Sequence, residues 1–148
     1  MRILGINCMN HDAAMAVVDG IDILWAAHAE RYSKVKNDHF LNQAIVDEAK
    51  TYGPFDKVVY YEKPLLKKTR QLYATQYSDA LSYTEMPQWN LDRFGIKIDE
   101  YVKHHDSHAA AGYFTSPFRE ATILTVDAIG EWDTVSISTA NKIWIKRK

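Results

Sequence analysis

The first part of the chain contains three short apolar runs, which predict three β-strands. The runs span residues 2–7, 13–18 and 21–29. Asp19-Gly20 separates the second run from the third, and this dipeptide suits a tight hairpin because glycine adopts positive φ without steric cost. Three strands joined by short turns form a meander, and a meander at the start of an α/β pattern indicates a mixed sheet.

Helical and extended patterns alternate through the middle of the chain. Apolar positions recur at helical spacing in residues 40–51, 65–81 and 106–115. Short β-branched or aromatic segments between them predict strands at residues 56–61 and 99–103. Residues 82–98 show no regular pattern and contain Pro87 and Gly95, so they are expected to be irregular.

A second group of three strands is predicted towards the C-terminus. Its segments are residues 121–127, 133–139 and 142–147. Because no helix follows them, their sheet is expected to be uncovered on at least one face and open at an edge. We therefore predict an α/β fold in which residues 1–120 form one lobe. Residues 121–148 would be the opening strands of a second lobe, which a complementing chain would complete.

The composition is that of a globular protein of about one domain. Of its 148 residues, 47% are hydrophobic and 25% are charged, and the net charge is −1. This balance gives no global reason to expect a nucleic-acid or membrane partner. The single cysteine, Cys8, fits a reducing compartment, and no apolar run forms a signal-peptide core or approaches the roughly 18 residues of a membrane span. A cytoplasmic location is therefore expected.

Three histidines lie within five residues, at the start of the third predicted helix: His104, His105 and His108. His104 and His108 are four residues apart, so on a helix their imidazoles share a face and can bind one metal ion. The small residues at positions 109–112 would allow close packing. Surface or core histidines explain such a pair about as often, and a metal site needs three or four ligands.

Asp127 is the candidate for a third ligand. It ends a predicted apolar strand and precedes a turn that contains Gly130 and Glu131. Its carboxylate is therefore expected at the carboxyl edge of the sheet, where α/β proteins commonly bind metals and ligands. The simpler alternative, favoured for an isolated Asp-x-x-Gly, is an aspartate that only begins a turn.

Two polar segments near the N-terminus are further candidates. The turn around His11 lies between the first two predicted strands, a position that faces the ligand in phosphate-handling folds. An ordinary Asx-rich turn is the commoner explanation. Arg31 and Lys36 belong to a charged run after the third strand, where an arginine fork could bind phosphate or carboxylate. Such a run is usually a solvated loop.

Four segments, in the order in which they occur, resemble the carbamoyltransferases that modify antibiotics and nodulation factors. They are ILGINCMNHDAAMAVVDG, AERYSKVKNDHF, VKHHDSHAAAGYFTSPF and ATILTVDAIGEWDTVSIS. The resemblance leaves residues 64–98 unmatched. It implies an actin/Hsp70/sugar-kinase-like (ribonuclease H-like) fold. It also implies transfer of a carbamoyl group to an acceptor hydroxyl, from carbamoyl phosphate through an ATP-derived carbamoyl-adenylate. The threonylcarbamoyl-transferring enzyme that acts on transfer RNA shares the fold and a His-x-x-x-His pair, but the HDAA turn fits O-carbamoylation better.

The resemblance also implies roles for individual residues. His104, His108 and Asp127 match metal ligands, for which the family favours Fe²⁺, although Zn²⁺ suits the same side chains. His11 and Asp12 match the HDAA turn, which is thought to act near the acceptor, and they are the catalytic candidates. The candidates for binding the acceptor or the carbamoyl donor are Asn10, Arg31, Lys36, Gly130 and Glu131.

The sequence departs from the family pattern at Ala128, where glycine is usual, and at Asn37, where histidine is usual. A methyl group at position 128 would hinder the approach of the backbone to a phosphate. The family's second lobe, with a further aspartate ligand, and the domain that makes the carbamoyl-adenylate do not fit in 148 residues. The chain is therefore expected to need a complementing C-terminal chain for activity.

Two other interpretations stay open. One is a non-catalytic binding partner or remnant of the same fold, which the two departures weakly favour. The other is a nucleic-acid-binding module that uses the basic helix face of Lys67, Lys68 and Arg70 with nearby aromatic residues. The acceptor hydroxyl could then belong to a modified nucleobase. Against this, Tyr73 and Tyr77 lie on the apolar stripe of their predicted helix and are expected to pack in the core.

Overall fold

The computed structural model describes residues 1–141 and 144–147, which cluster into two compact units. The first unit contains Met1–Tyr61 and Ser82–Tyr101, and the second contains Glu62–Leu81 together with the chain from Val102 onwards. The boundary between lobes expected at residue 120 stays a prediction. None of the helices in the described ranges has both the length and the apolar character needed to cross a membrane.

The strands and helices are numbered in chain order. The strands are β1 (Arg2–Asn7), β2 (Ala14–Asp19), β3 (Asp22–His28), β4 (Lys57–Tyr60), β5 (Glu100–Tyr101), β6 (Glu120–Gly130), β7 (Asp133–Asn141) and β8 (Trp144–Arg147). The helices are α1 (Glu30–Ser33), α2 (Gln43–Thr51), α3 (Pro64–Tyr73), α4 (Tyr77–Leu81), α5 (Pro87–Asp92) and α6 (His104–Phe114).

The first unit is built on a five-stranded sheet with the order β3-β2-β1-β4-β5. The strands β1, β2 and β3 form an antiparallel meander, whereas β4 pairs parallel to β1 and β5 parallel to β4. The hairpin between β2 and β3 turns at Gly20, whose φ of 62° is in the left-handed region that glycine accepts without strain. The predicted meander and mixed sheet are confirmed.

Two sequence periodicities build the core of the first unit. Alternate residues in the middle of β1 and β2 are buried, namely Leu4 and Ile6 in β1 and Met15 and Val17 in β2, as expected for strands with one face inward. Helix α2 buries Ile45 and Val46 in the same cluster, and the Asn42 side chain caps this helix by accepting a hydrogen bond from the Ile45 amide at 3.1 Å. Each fully buried aliphatic side chain stabilises the fold by about 1.5–3 kcal/mol.

The second unit contains a three-stranded antiparallel sheet with the order β6-β7-β8. Side chains alternate between its faces: Thr125, Ser136 and Ser138 are buried on the face that α6 covers, since His105 of α6 contacts Ser136. The other face exposes the cross-strand pairs Leu124–Ile137 and Val126–Val135. A second antiparallel sheet with an exposed face is thus present among the described residues, as predicted. Of the strand predicted over 142–147, residues 142 and 143 lie outside the described residues.

The prediction of one continuous helix over residues 65–81 is wrong. It is interrupted after α3 at Thr75, which adopts a φ of 58°, and α4 begins two residues later. The Lys68 ammonium donates to the main-chain carbonyls of Asp79 and Ala80, so the broken geometry gives this cation two acceptors that a straight helix would not offer. Helix propensity in this stretch was therefore overridden by tertiary contacts.

The core role expected for Tyr73 and Tyr77 is also wrong. Their relative exposures are 81% and 58%. The expected apolar stripe requires one continuous helix, and α3 ends at Tyr73. The expectation of an irregular segment over residues 82–98 is wrong at α5, which begins at Pro87, a residue suited to the first helical turn.

Candidate metal centre and exposed histidine turn

Helix α6 begins at His104 and sets the spacing of the histidine pair. Residue Lys103 before it is extended, and the helical backbone then places His104 and His108 one turn apart on the same face. Their Nε2 atoms lie 3.0 Å from each other. The sequence prediction that these imidazoles share one face is confirmed, and their metal-binding role stays a prediction at this point. Of the small residues at 109–112, Ala109 is buried, whereas a Cβ added at Gly112 would meet no atom within 4 Å.

Asp127 lies where β6 departs from regular pairing. The register is regular up to Val126 opposite Val135, then shifts, and resumes at Gly130 opposite Asp133. Such bulges re-aim side chains. The expectation that Asp127 ends its strand is wrong, because β6 continues to Gly130 beyond the irregularity. The carboxylate nevertheless reaches the histidines: its Oδ2 lies 2.9 Å from Nε2 of His104 and 3.7 Å from Nε2 of His108.

These three side chains fit a metal ion. Their ligand atoms all lie within 4.8 Å of one another. Ligand atoms about 2.1 Å from one tetrahedral ion lie roughly 3.4 Å apart, and the separations of 2.9, 3.0 and 3.7 Å bracket that value. Two imidazoles and one carboxylate suit Zn²⁺ or Fe²⁺ and leave coordination positions for a further ligand or a substrate.

His104 lies between two carboxylates. Its Nε2 faces Asp127, and its Nδ1 lies 3.7 Å from Oε2 of Glu62, a side chain only 5% exposed. The contact with Glu62 is the main cause that raises the pKa of His104 above its ordinary value, with burial opposing it and the Asp127 charge adding to it. His104 therefore holds a proton more tightly than an ordinary histidine until a metal displaces it.

The neighbouring groups are shifted in the opposite direction. Burial and the nearby positive charge of His104 lower the pKa of His108, so its imidazole is neutral and ready to bind a metal at neutral pH. Burial opposes ionisation of Asp127, but the Ala128 amide, 2.7 Å from its Oδ1, and the histidine charges outweigh it and lower the carboxyl pKa. The ligand set thus combines an ionised carboxylate with a neutral imidazole.

Glu62 was missed by sequence reasoning. Burial opposes its ionisation, yet the contacts with His104 and Lys67 lower its pKa, and Lys67 Nζ donates to Oε1 at 3.0 Å. A signal was available in the sequence, because Glu62 is a carboxylate two residues after the apolar strand β4, and such positions commonly contribute to sites in α/β proteins. Nothing in the local sequence pattern, however, connects Glu62 to His104, which lies 42 positions later (104 − 62).

Gly130 and Glu131 were predicted to bind the acceptor or the carbamoyl donor, and the structure gives both a packing position. A Cβ on Gly130 would lie 2.7 Å from Cδ2 of His104 and 2.7 Å from Cδ2 of His105, so only glycine fits there. Glu131 is buried at the turn with a φ of 58°, and its Oε1 accepts the Lys63 amide at 2.6 Å. A role of these residues towards the donor stays a prediction.

His105 is the middle histidine of the cluster, and it points away from the other two. It is 2% exposed, and its Nδ1 lies 2.8 Å from the Ser136 hydroxyl on β7. One residue along a helix is a rotation of about 100°, which explains why His105 faces the sheet while His104 and His108 share another direction. It therefore anchors α6 to the sheet.

The candidate catalytic residues lie in the first unit, on the turn between β1 and β2. His11 Nδ1 contacts Asp12 Oδ2 at 2.7 Å, and the side chains are 67% and 38% exposed. Asp12 adopts a φ of 54°, an uncommon conformation for a residue with a side chain. Asn10 is exposed on the same turn. His11 and Asp12 thus form an exposed pair in which the carboxylate orients the imidazole.

A cavity of about 610 Å³ lies beside that turn. Asp12, Arg31 and Lys36 are among its lining residues, together with the further charged side chains of Glu30 and Lys34. Arg31 is paired with Glu30 at 3.4 Å, and Lys34 donates to the Arg31 carbonyl at 2.7 Å. The structure thus brings together Asp12, Arg31 and Lys36 from two of the sequence motifs, in a cavity with more cationic than anionic groups.

The basic helix face considered for nucleic-acid binding is largely engaged within the protein. Lys67 contacts Glu62, and Lys68 contacts the carbonyls of Asp79 and Ala80. Ammonium groups that have internal acceptors are less available to phosphates. These contacts disfavour the nucleic-acid interpretation of this face.

Comparison with known proteins identifies the family. Residues 68–146, more than half of the chain, match the family described as carbamoyltransferase N-terminus. The match contains the His104–His108 pair and Asp127, and it includes residues 68–98, which the motif resemblance had left unmatched. The chain therefore belongs to the carbamoyltransferase family, in which it corresponds to the N-terminal region.

A relative is similar to this chain over more of its sequence. The uncharacterized protein sll1178 of Synechocystis sp. (strain ATCC 27184 / PCC 6803 / Kazusa) is 32% identical over 165 aligned positions. The alignment covers 92% of this chain and 27% of the relative. The chain thus spans about a quarter of the length of that relative.

Proposed function

We propose that this chain is the N-terminal, metal-binding part of an O-carbamoyltransferase. The complete enzyme would move a carbamoyl group from carbamoyl-adenylate, made from carbamoyl phosphate and ATP, to an acceptor hydroxyl. The observation that carries the proposal is the convergence of His104, His108 and Asp127 in a chain of the carbamoyltransferase family. Three ligands from a helix and a strand are what a catalytic metal site needs, with one position left open.

The proposed ligands would hold a divalent metal through Nε2 of both histidines and Oδ2 of Asp127. A bound divalent metal supplies Lewis-acid polarisation of the carbamoyl carbonyl and neutralises charge on the phosphate leaving group. The ionised state of Asp127 and the neutral state of His108, which follow from their lowered pKa values, suit this role.

His11 is the proposed general base. Asp12 Oδ2, at 2.7 Å, accepts a hydrogen bond from the N–H of His11 Nδ1 in the tautomer that this mechanism requires, so the lone pair on Nε2 can take the proton of the acceptor hydroxyl. The hydroxyl oxygen then forms a bond to the carbamoyl carbon as the bond between that carbon and the adenylate phosphate oxygen breaks. The products are the carbamoylated acceptor and AMP, with the proton on His11.

The cavity lined by Arg31 and Lys36 is the proposed binding region for an anionic group of the donor. Arg31 and Lys36 line this open depression together, and an arginine fork favours phosphate oxygens. Asn10, exposed on the neighbouring turn, would offer an amide to the acceptor. Gly130 and Glu131 would contribute by shaping the surroundings of His104.

The rest of the enzyme is proposed to come from a complementing C-terminal chain or segment, carrying a second lobe and the adenylate-forming domain. Support comes from the relative, of which this chain covers 27%, and from the exposed apolar face of the β6–β7–β8 sheet. The mixed sheet of the first unit supports an actin/Hsp70-like lobe. A cytoplasmic location and a small-molecule or nucleobase hydroxyl as acceptor complete the proposal.

Metal content tests the proposal directly. The full chain, His108→Ala and the control His39→Ala are purified from metal-supplemented cultures and analysed by elemental mass spectrometry. We expect about one zinc or iron per chain in the parent and in His39→Ala, and a loss of most metal in His108→Ala. Equal metal in all three, or none in any, would overturn the metal centre and favour a non-catalytic member of the family. Carbamoyl transfer by the chain alone would overturn the need for a complementing chain.

A further inference from the structure

We propose that Glu62 is a positioning residue that holds the His104 ring in the orientation needed for metal binding. This inference rests on the proposed metal centre. Glu62 is not among the side chains whose atoms face the proposed ion, so its action is through His104.

The two oxygens of the Glu62 carboxylate contact different partners. Oε1 accepts a hydrogen bond from Lys67 Nζ at 3.0 Å, and Oε2 lies 3.7 Å from His104 Nδ1. Glu62 is 5% exposed, and buried carboxylates are retained in proteins when they are paired. The carboxylate therefore connects the start of α3 to the first residue of α6.

The contact selects one orientation of the imidazole. A rotation of 180° about χ2 would exchange Nδ1 with Cδ2 and would turn Nε2 away from Asp127 and His108. In the observed orientation Nδ1 faces an acceptor-only group, so it can carry the proton and leave Nε2 free to bind a metal. After such a rotation Glu62 Oε2 would face a carbon atom and lose its contact with the imidazole nitrogen, while Oε1 kept its contact with Lys67.

Gly130 fixes the opposite edge of the ring. Cδ2 of His104 lies 2.7 Å from the position that a Cβ on Gly130 would occupy. The ring is thus bounded by a polar contact on its Nδ1 side and by main chain on its Cδ2 side. A ring bounded on two edges and attached to a helix has little freedom, which is the condition for a preorganised ligand.

A purely structural role for Glu62 would be explained by its ion pair with Lys67. Lys67 provides the means to separate the two roles, because its side chain is 26% exposed and contacts Oε1. Lys67→Met breaks the same ion pair as Glu62→Met but leaves the carboxylate beside His104. The two variants carry the same new side chain, so they form a matched pair.

The experiment measures ring orientation and metal affinity in the full chain. In the metal-free parent, the nuclear Overhauser effect between the Cδ2 proton of His104 and the α protons of Gly130 reports the ring edge that faces Gly130. Zinc affinity is measured separately by competition with a chelator. We expect Glu62→Met to weaken the Overhauser effect and to lower zinc affinity by about tenfold or more, as for other outer partners of metal-ligating histidines. Lys67→Met should leave both measurements within about twofold.

The outcomes are distinguishable from a failure of the proposed function. If the parent binds no zinc, the metal centre is overturned, while the Overhauser effect still decides whether Glu62 orients His104. If the parent binds zinc and Glu62→Met keeps both the ring contact and the affinity, the inference is overturned and the metal centre stands. Equal losses in Glu62→Met and Lys67→Met would also overturn it. Should Glu62→Met fold poorly, Glu62→Gln keeps the shape and an acceptor oxygen, and an intermediate zinc affinity is expected.

Discussion

The two groups of candidate residues differ in how they are held. In the second unit, His104 is 10% exposed at its side chain and contacts Glu62, Asp127 and His108, and it lies on a helix. In the first unit, His11 is 67% exposed and lies on a turn, where it contacts Asp12. One group is fixed by helix, strand and buried charge, whereas the other depends on a contact at the surface.

This difference in rigidity and exposure fits the different chemical roles proposed for the two groups. A metal site needs ligand atoms within a few tenths of an ångström of their positions, and rigid elements supply that precision. A general base has to approach a substrate that arrives from solution, and an exposed turn allows that approach. Substitutions that affect one group of residues and spare the other therefore test whether the two groups have different roles.

The His11→Ala substitution in the complete enzyme should have the largest effect, which is on the rate of carbamoyl transfer. Loss of a general base lowers kcat by about 100-fold to 10,000-fold. Because His11 is absent from the ligand set, the zinc content of the chain should stay unchanged. Steady-state kinetics and elemental analysis of the same preparation measure both. Transfer rates within about twofold of the parent would remove His11 from the mechanism.

Gly130→Ala should damage the metal centre from the sheet side. The new methyl group would lie 2.7 Å from atoms of both His104 and His105, and these rings cannot move aside as a flexible chain end would. Overpacking of this kind costs about 1–3 kcal/mol of unfolding free energy, and zinc affinity should fall as His104 shifts.

Gly112→Ala is the matched control for that substitution. A Cβ at Gly112 of α6 meets no atom within 4 Å, so helix propensity should raise stability by roughly 0.5–1 kcal/mol without changing zinc affinity. Urea unfolding and zinc titration compare the two variants. A Gly130→Ala protein with parental stability and affinity would contradict the close approach seen at β6.

Zinc affinity should fall as pH falls, and the pKa of His104 determines the pH at which this loss begins. Its raised pKa means that a proton competes with the metal already above the ordinary histidine value of 6.5. Below that raised pKa the affinity should fall by about tenfold per pH unit for one displaced proton. His108, with a lowered pKa, should add a second proton only at lower pH. Chelator competition at a series of pH values measures the slope, and a flat profile from neutrality downwards would exclude His104 as a ligand.

The smallest expected effect belongs to the exposed cations of the cavity. Lys36→Ala should raise KM for the carbamoyl donor by about 1.4-fold to fivefold with little change in kcat, since an exposed ion pair contributes about 0.2–1 kcal/mol. Lys97→Ala, an exposed lysine of the same unit outside the cavity, is the control. An equal KM in both variants would remove the cavity from donor binding.

Part of this protein could be predicted from the sequence because the signals are local. The period-two pattern of β1 to β3, the Asp19-Gly20 turn and the four-residue spacing of His104 and His108 each act within a few residues. The mixed sheet and the common face of the two imidazoles followed from those signals. The functional roles of these residues came from the family resemblance and not from local pattern.

Features that depend on contacts between residues far apart in the sequence are found only in the tertiary structure. The bulge that turns Asp127 towards the histidines, the break between α3 and α4, and the exposure of Tyr73 and Tyr77 are set by pairing and packing. Glu62 reaches His104, and Gly130 lies against its ring, across long stretches of sequence. Contacts between residues far apart in sequence leave no periodic trace along the chain, because their energies are realised only once the elements have packed.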